Sequence, residues 1–454
     1  MRTQDMTQGH PLKLILAFSL PLMLGNAFQQ LYTMVDTIVV GQGIGVAALA
    51  AVGASDWLNW LVLSLIQGMA QGFSIKMAQD FGARDEAELR RTVGGSVLLA
   101  AIVAVATAVV SLASMRPVLL LMNTPEDILG TAIAYISVIF AGMPIVMAYN
   151  LAAAILRAVG DSRSPLYAMV IASLLNVALD LLFVLVFHWG VRGAALATVL
   201  AQLVAATYCL FAIRRLPMLR LSREDVRQGW KLGGLLMRLG SPMAFQNVLI
   251  SIGGMIVQSV VNGFGVLFIA GFTATNKLYG LLEIAATSFG YAMVTYAGQN
   301  LGAKRYERIR RGVKSGLALG LVVAVIIGAA MLLGGRAILS LFISGTPEEV
   351  EATLAVAYRY LSIMSLFLPV LYVLHVLRSN IQGLGDTVLP MVSGMAEFAM
   401  RVLSALALPL LVGSDGIFYA EIAAWIGADV VLILSTVKHM RQIHQWEQRE
   451  LSAK

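Results

Sequence analysis

Charge is what this chain has least of. Only 13% of its 454 residues are Asp, Glu, Lys or Arg, against about 25% in soluble domains, while 59% are hydrophobic. That balance excludes a water-soluble core and marks a membrane protein. Cysteine is scarcer still. The single one, Cys209, lies in an apolar run, so neither a disulfide framework nor a thiolate metal site is available. The five histidines form no metal-binding cluster and no Ser/His pairing, and adjacent helices carry no paired catalytic aspartates; an enzyme is not expected. The polar stretch Met1 to His10 precedes an apolar run far longer than a signal peptide's and shows no small-residue cleavage site, so no cleaved targeting segment is expected.

Apolar length is what the chain has in abundance. Twelve runs reach the ~17–25 residues that cross a bilayer as a helix. They are Leu12 to Val40, Asp56 to Ala78, Val93 to Met115, Ile128 to Ala152, Leu166 to His188, Ala194 to Ile213, Gly233 to Asn262, Phe268 to Gly298, Val313 to Gly335, Ala352 to Leu377, Val388 to Val412 and Ile417 to Val437. Barrel strands would instead alternate over ~10 residues, and lipid tolerates only spanning structures whose backbone groups are satisfied internally. The charges that do occur are sorted. Of the 32 Lys and Arg residues, Arg116, Arg192 and Arg336 fall in loops on one side and Lys277, Arg359 and Arg401 within spans; all the others lie on the opposite side. The positive-inside rule makes that side, with both termini, cytoplasmic. The formal charge of +7 therefore reflects topology and predicts no nucleic-acid partner.

The chain also repeats itself. Gln79-Asp80-Phe81-Gly82-Ala83-Arg84 returns as Gln299-Asn300-Leu301-Gly302-Ala303-Lys304, and Arg90-Arg91 as Arg310-Arg311. Pro21 and Asn26 answer to Pro242 and Asn247; Tyr135, Pro144, Gly160-Asp161 and Pro165 answer to Tyr360, Pro369, Gly385-Asp386 and Pro390. The expected fold is an all-α polytopic membrane protein, its twelve transmembrane helices forming two six-helix repeats. Because six is even, the pseudo-two-fold axis should lie along the membrane normal, with a cavity at the seam. The expected domains are residues 1–214, a cytoplasmic basic linker 215–232, and residues 233–454. Pro21, Pro144, Pro242 and Pro369 recur within spans and are candidate hinges.

A carboxylate in hydrocarbon costs roughly 2.5–3.5 kcal/mol on insertion scales, so one that persists is a functional candidate. Asp36 shares a face of the first span with Gln29 and Thr33, at i, i+4 and i+7. Asn176 and Asp180 share a face of the fifth, and Thr198 begins the sixth. Span directions put all four at one depth, an all-oxygen set suited to a hard cation or a shared proton. The repeat places Val257, Arg401 and Ala405 where Asp36, Asn176 and Asp180 stand, so coupling should be confined to the first half, with Glu397 neutralising Arg401 one turn away. In the second half, Glu283, His375, Glu397 and Arg401 are candidates for a further polar site or substrate contact. Asn26, Gln29, Gln67, Gln71 and Asn150 are candidate cavity-lining residues. Asp56 and Lys277 read as interfacial charges, and Gly68 and Gly72 as a small-xxx-small helix contact. The only metal ion expected is Na⁺ at Asp36, Asn176, Asp180 and Thr198.

Pro21, the run Gln29-Gln30-Leu31-Tyr32 ending in Val35-Asp36, Gly41 and Gly43, the Asn176 to Asp180 pair, Gly193-Ala194-Ala195 with Thr198, and Gly298 to Ala303 together resemble the multidrug and toxic compound extrusion (MATE) transporters over nearly the whole chain. The resemblance implies two six-helix bundles and antiport of organic, often cationic, compounds against Na⁺ or H⁺ through alternating access. A multi-pass protein of the bacterial inner membrane is expected, without a cofactor, working as a monomer on small organic substrates in the lipid bilayer. The resemblance assigns the cation site to Asp36, Asn176, Asp180 and Thr198. A lipid-linked precursor flippase of similar architecture is the alternative, expected to need more spans or a strongly cationic cavity. An ion channel would need a filter loop, and nothing in the sequence resembles one.

Overall fold

The computed structural model describes residues 3–122, 124–343 and 346–452. The chain is helical almost throughout, as a bilayer requires. Its long helices are α1 (Pro11–Gly43), α2 (Val46–Ala83), α3 (Glu86–Leu121), α4 (Glu126–Ala141), α5 (Met143–Ala158), α6 (Arg163–Asp180) and α7 (Gly190–Arg214), then, after the short α8 (Arg223–Gly229), α9 (Gly233–Val261), α10 (Val266–Gly302), α11 (Tyr306–Ser340), α12 (Pro347–Gly383), α13 (Val388–Val412) and α14 (Ala420–Ser452). Among the described residues, ten helices are long and apolar enough to span, and α4 with α5, bent by 46° at Gly142, makes an eleventh. The twelfth rod is α10. It is 37 residues long, but Thr273, Thr275, Asn276, Lys277 and Glu283 dilute its apolar run. The chain is a multi-pass membrane protein.

Of the four recurring prolines, only Pro144 accompanies a break; Pro21, Pro242 and Pro369 sit inside continuous helices. A second irregularity follows Asp180. There the fifth span continues as a π-helix, Leu181–Val186, and ends at His188, whose φ is 54°.

The chain folds as two compact units, one gathering the segment up to Asp5 with Leu20–Val248, the other Met6–Ser19 with Leu249 onward. In the first, Ile66, Phe73, Met77, Ile136, Phe140, Met143 and Leu156 are fully buried. Gly68 and Gly72 let α2 meet α9 backbone to backbone: a Cβ on Gly68 would lie 2.5 Å from the Ala244 Cα, and one on Gly72 2.4 Å from the Gly240 Cα. The basic linker is ordered. Its helix α8 opens on a capping box of Ser222 and Asp225, and Gly94 and Gly95 of α3 admit it so closely that a Cβ on Gly95 would stand 2.3 Å from the Gly229 carbonyl oxygen.

In the second unit, stacked rings join three elements: Phe272 to Tyr360 at 4.7 Å and Tyr360 to Phe418 at 5.0 Å between centroids. The repeated Gln299-Asn300 motif holds the buried Met6. Met6 N donates to Gln299 Oε1 at 2.9 Å, and its carbonyl accepts from Asn300 Nδ2 at 3.1 Å and Arg308 Nη2 at 3.0 Å. The duplicated loops diverge in detail. Asp161 accepts from the Ser164 hydroxyl at 2.6 Å, whereas its counterpart Asp386 pairs with His439 at 3.3 Å, and that hydrogen bond holds the Asp386 carboxyl below its ordinary range.

Candidate functional site

The first unit brings the four predicted site residues together. On α6, Asn176 and Asp180 are one turn apart and both 0% exposed. Asn176 Nδ2 donates to Thr198 Oγ1 of α7 at 3.5 Å, while the threonine hydroxyl donates to the Ala194 carbonyl of its own helix at 3.2 Å. Asp36 of α1 lies beside Asp180, close enough for each carboxyl group to feel the other. The polar stripe expected on α1 is rotated. Thr33 is exposed and returns its hydroxyl to the Gln29 carbonyl at 3.0 Å, so the residue beside Asp36 is Tyr32, one turn earlier.

Four further residues, not expected in the site, lie around it. Tyr32 lies near the side chains of Gln29 and Gln202 and in the field of both aspartates. Tyr135 of α4 is 5% exposed and faces the same pair. Asp56 of α2 is exposed, as expected of an interfacial charge, and lies in the field of Asp36. Two of these had sequence signals: Tyr135 recurs as Tyr360, and Gln202 lies four residues after Thr198.

This arrangement is rich in acceptors and poor in donors. Asp36 Oδ1, Asn176 Oδ1, Asp180 Oδ1 and Oδ2 and Gln202 Oε1 are buried and accept no hydrogen bond among the described residues. Native interiors rarely leave such groups unpaired. Two carboxylates in contact cannot both remain ionised and unpaired; they hold a proton between them or a cation with oxygen ligands. The amide oxygens suit the same hard cation. The π-helical turn that begins directly after Asp180 is a common mark of functional positions within helices.

The second unit treats the equivalent place differently. Glu397 is shared by two guanidiniums, accepting from Arg378 Nη2 at 2.6 Å and Arg401 Nη2 at 2.9 Å, and Arg401 also bonds Glu421 Oε2 at 2.8 Å. Two guanidiniums thus pair with two carboxylates, and the buried Asp429 of α14 lies in the field of Arg378 and Glu397. Arg378, expected in a cytoplasmic loop, is instead buried in α12 and belongs to this group. Glu283 and His375 form a half-buried pair on α10 and α12, 3.5 Å from each other, with His375 in the field of Glu397. Arg359 pairs with Asp415 in an exposed position. Among the expected lining residues, Gln29 adjoins Tyr32, and Asn150 returns its amide to the Val146 carbonyl at 2.9 Å. Asn26, Gln67 and Gln71 are half-buried on α1 and α2.

The profile of the MatE family matches the chain twice, over residues 21–182 and 242–406. The chain belongs to the MatE family. The double match makes this MatE protein an internal duplication, with Pro21 and Pro242 at equivalent starts. It is 31% identical over 398 residues to a "Probable multidrug resistance protein YpnP" of Bacillus subtilis, covering 88% of each chain. It is 26% identical over 452 residues to a "Probable multidrug resistance protein NorM" of Thermotoga maritima, covering 96% of this chain and 93% of that one. The MatE fold is also that of a solved structure titled "Crystal structure of MATE in the bent conformation", with a TM-score of 0.85 at 24% identity over 99% of both chains.

Proposed function

We propose that this MatE protein is a secondary active transporter of the bacterial inner membrane, with both termini cytoplasmic, that exports organic, mostly cationic or amphipathic, compounds in exchange for Na⁺ or H⁺. The observation that carries this reading is the cluster of buried, orphaned oxygens on Asp36, Asn176 and Asp180. Such a cluster is stable only when it holds an ion, so loading and unloading it changes how α1 packs against α6. The ion ties the two aspartates together; its loss leaves two like charges in contact and drives them apart. α1 is suited to respond because Pro21 lacks the N–H that would bond the carbonyl four residues before it, which weakens the helix at that point. Alternating access follows if substrate and ion favour different bends of α1. The names of the relatives, multidrug resistance proteins, support the same substrate class.

The flippase alternative needs cationic groups available to a lipid phosphate. Arg378 and Arg401 are instead each paired within the second unit, which disfavours it.

The test is export of a fluorescent organic cation from proteoliposomes under an imposed Na⁺ gradient and, separately, a pH gradient, with wild type and Asp36→Asn side by side. Wild type should export under at least one gradient, which names the ion. Asp36→Asn should reduce the initial rate at least tenfold with unchanged protein content. Wild-type exchange in that variant would refute the assignment.

A further inference from the structure

The two halves of the duplication cap the same loop in chemically different ways. In the first, Asp161 Oδ1 accepts from the backbone N–H groups of Arg163 and Ser164 at 3.0 and 2.9 Å, and Oδ2 accepts from the Ser164 hydroxyl at 2.6 Å. In the second, Asp386 Oδ1 accepts from the backbone N–H groups of Val388 and Leu389 at 3.0 and 3.1 Å. Its Oδ2 faces Nε2 of His439, on α14, at 3.3 Å. Each loop therefore needs one carboxylate oxygen for its own backbone, and only the second turns the other oxygen to a group that titrates. His439 is 8% exposed, and both of its ring nitrogens are engaged. Nδ1 lies 2.9 Å from the Ser435 carbonyl, which can only accept, so Nδ1 carries a hydrogen. A neutral ring would then aim the lone pair of Nε2 at a carboxylate. The arrangement is complete only when Nε2 is protonated as well, as an imidazolium bonded to Asp386.

We propose that Asp386 and His439 form a proton-dependent catch that holds the extension of α14 beyond its span against the loop between α12 and α13, and releases that loop as the pH on its side rises. That side is the one on which the basic residues place the cytoplasm. The inference goes beyond the exchange reading and holds whichever ion is exchanged. The charges around His439 set its sign. Both partners lie outside the expected spans, which end at Leu377 and Val437 and resume at Val388. Asp386 favours the imidazolium and holds His439 above the ordinary histidine range, while Lys438, its neighbour on α14, opposes this more weakly. Between Arg378 and Glu397, which bond each other, Asp386 is the only titratable side chain of the facing ends of α12 and α13. The catch is therefore at full strength where an unpaired histidine is already charged, and it fades as the pH climbs through the raised value of His439. Acid removes it only as the pH falls through the lowered value of Asp386. α11, which also packs on α14, contributes Arg310, which donates to His444 Nδ1 at 3.0 Å and pairs with Glu447 at 2.7 Å. A guanidinium only donates, so His444 accepts as a neutral ring, and the Arg310–Glu447 pair keeps the end of α14 attached when the catch opens. Opening thus frees the α12–α13 loop without detaching α14 from α11.

The experiment is hydrogen–deuterium exchange of the full chain in detergent micelles between about pH 6 and pH 9, where paired histidine rather than carboxylate changes charge, with rates corrected for the intrinsic pH dependence of amide exchange. In wild type, protection of segments 384–390 and 436–443 should fall about fivefold across that range. Segment 159–165, the duplicated loop that a serine completes, should stay level, and this comparison needs no variant. His439→Gln keeps an N–H donor toward Asp386 but cannot titrate, so it should abolish the fall. Asp386→Asn should reverse it: its amide oxygen still accepts from the loop N–H groups, while its nitrogen donates to Nε2 and so suits the neutral ring. Level protection of 384–390 and 436–443 in wild type overturns the catch, as does an alkaline fall that survives His439→Gln or that keeps its direction in Asp386→Asn. A fall shared equally by 159–165 would mark general loosening of the protein and overturn it as well.

Discussion

Arg401 occupies the position that the duplication gives to Asn176, and replacing an amide by a guanidinium changes what its surroundings must supply. The guanidinium is 5% exposed, and its Nη2 is held by Glu397 and Glu421. Gly253 leaves it room, since a Cβ there would stand 3.2 Å from the Arg401 Cδ. Buried ion pairs rarely add net stability over apolar residues of the same shape, but breaking one by removing a single partner leaves an uncompensated charge and costs about 3–5 kcal/mol. Arg401→Met should do that, stripping Glu421 of its bond and leaving Glu397 with Arg378 alone. Thermal unfolding in detergent should show a clear loss of stability of that order, and a variant that melts with wild type would mean the four charges are not the buried, mutually dependent group described above. This behaviour was half visible in the sequence. The i, i+4 spacing of Glu397 and Arg401 foretold their pairing, but Arg378 is distant in sequence and Glu421 comes from another helix, so only packing could reveal the shared carboxylate.

At the scale of elements, close helix contact is set by absent side chains. Gly68 and Gly72 of α2 face the backbone of α9 with no room for a methyl group, and the nearest atoms, Cα and N of Ala244 and Gly240, cannot rotate away. Gly72→Ala should therefore force the helices apart, at the cost of about 1–3 kcal/mol typical of overpacking. Gly53→Ala, on the same helix with nothing within 4 Å of its new methyl, should melt within experimental error of wild type or slightly above it, since alanine favours helix. Equal behaviour of the two variants would dismiss the contact. The small-xxx-small spacing made Gly68 and Gly72 legible beforehand, as the long apolar runs did for the spans, because both follow from composition and period alone. Helix rotation was not legible in that way. Residues three and four before Asp36 are equally its neighbours on a helix surface, and whether Thr33 or Tyr32 turns toward Asp180 depends on which side of α1 is packed. The π-helical turn after Asp180 was equally hidden, since Leu181–Val186 is as apolar as any α-helical run.

Considered as a whole, the molecule uses one duplicated fold for two electrostatic solutions. The first unit gathers acceptors in excess, with both oxygens of Asp180 unpaired, whereas the second pairs Glu397 and Glu421 with Arg378 and Arg401. Excess acceptors are a stability liability that an ion relieves, whereas a balanced group is rigid and has nothing to exchange. The two solutions should separate in one measurement, thermal unfolding with and without the coupling ion. An ion that binds only the folded state raises its stability by RT ln(1 + [L]/Kd), about 2.7 kcal/mol when its concentration is 100 times Kd. Wild type should gain stability on addition of the ion. Asp180→Asn gives the cluster two N–H donors and removes a like charge, so it should melt higher than wild type in the absence of the ion and gain nothing from it. Arg401→Met should melt lower and keep the full ion-induced gain, because the group it disrupts takes no part in ion binding. Had the duplication left ion binding in both units, the arginine variant would lose part of its gain and the asparagine variant would keep part. An Asp180→Asn protein that still responds to the ion would place the exchange site outside this cluster.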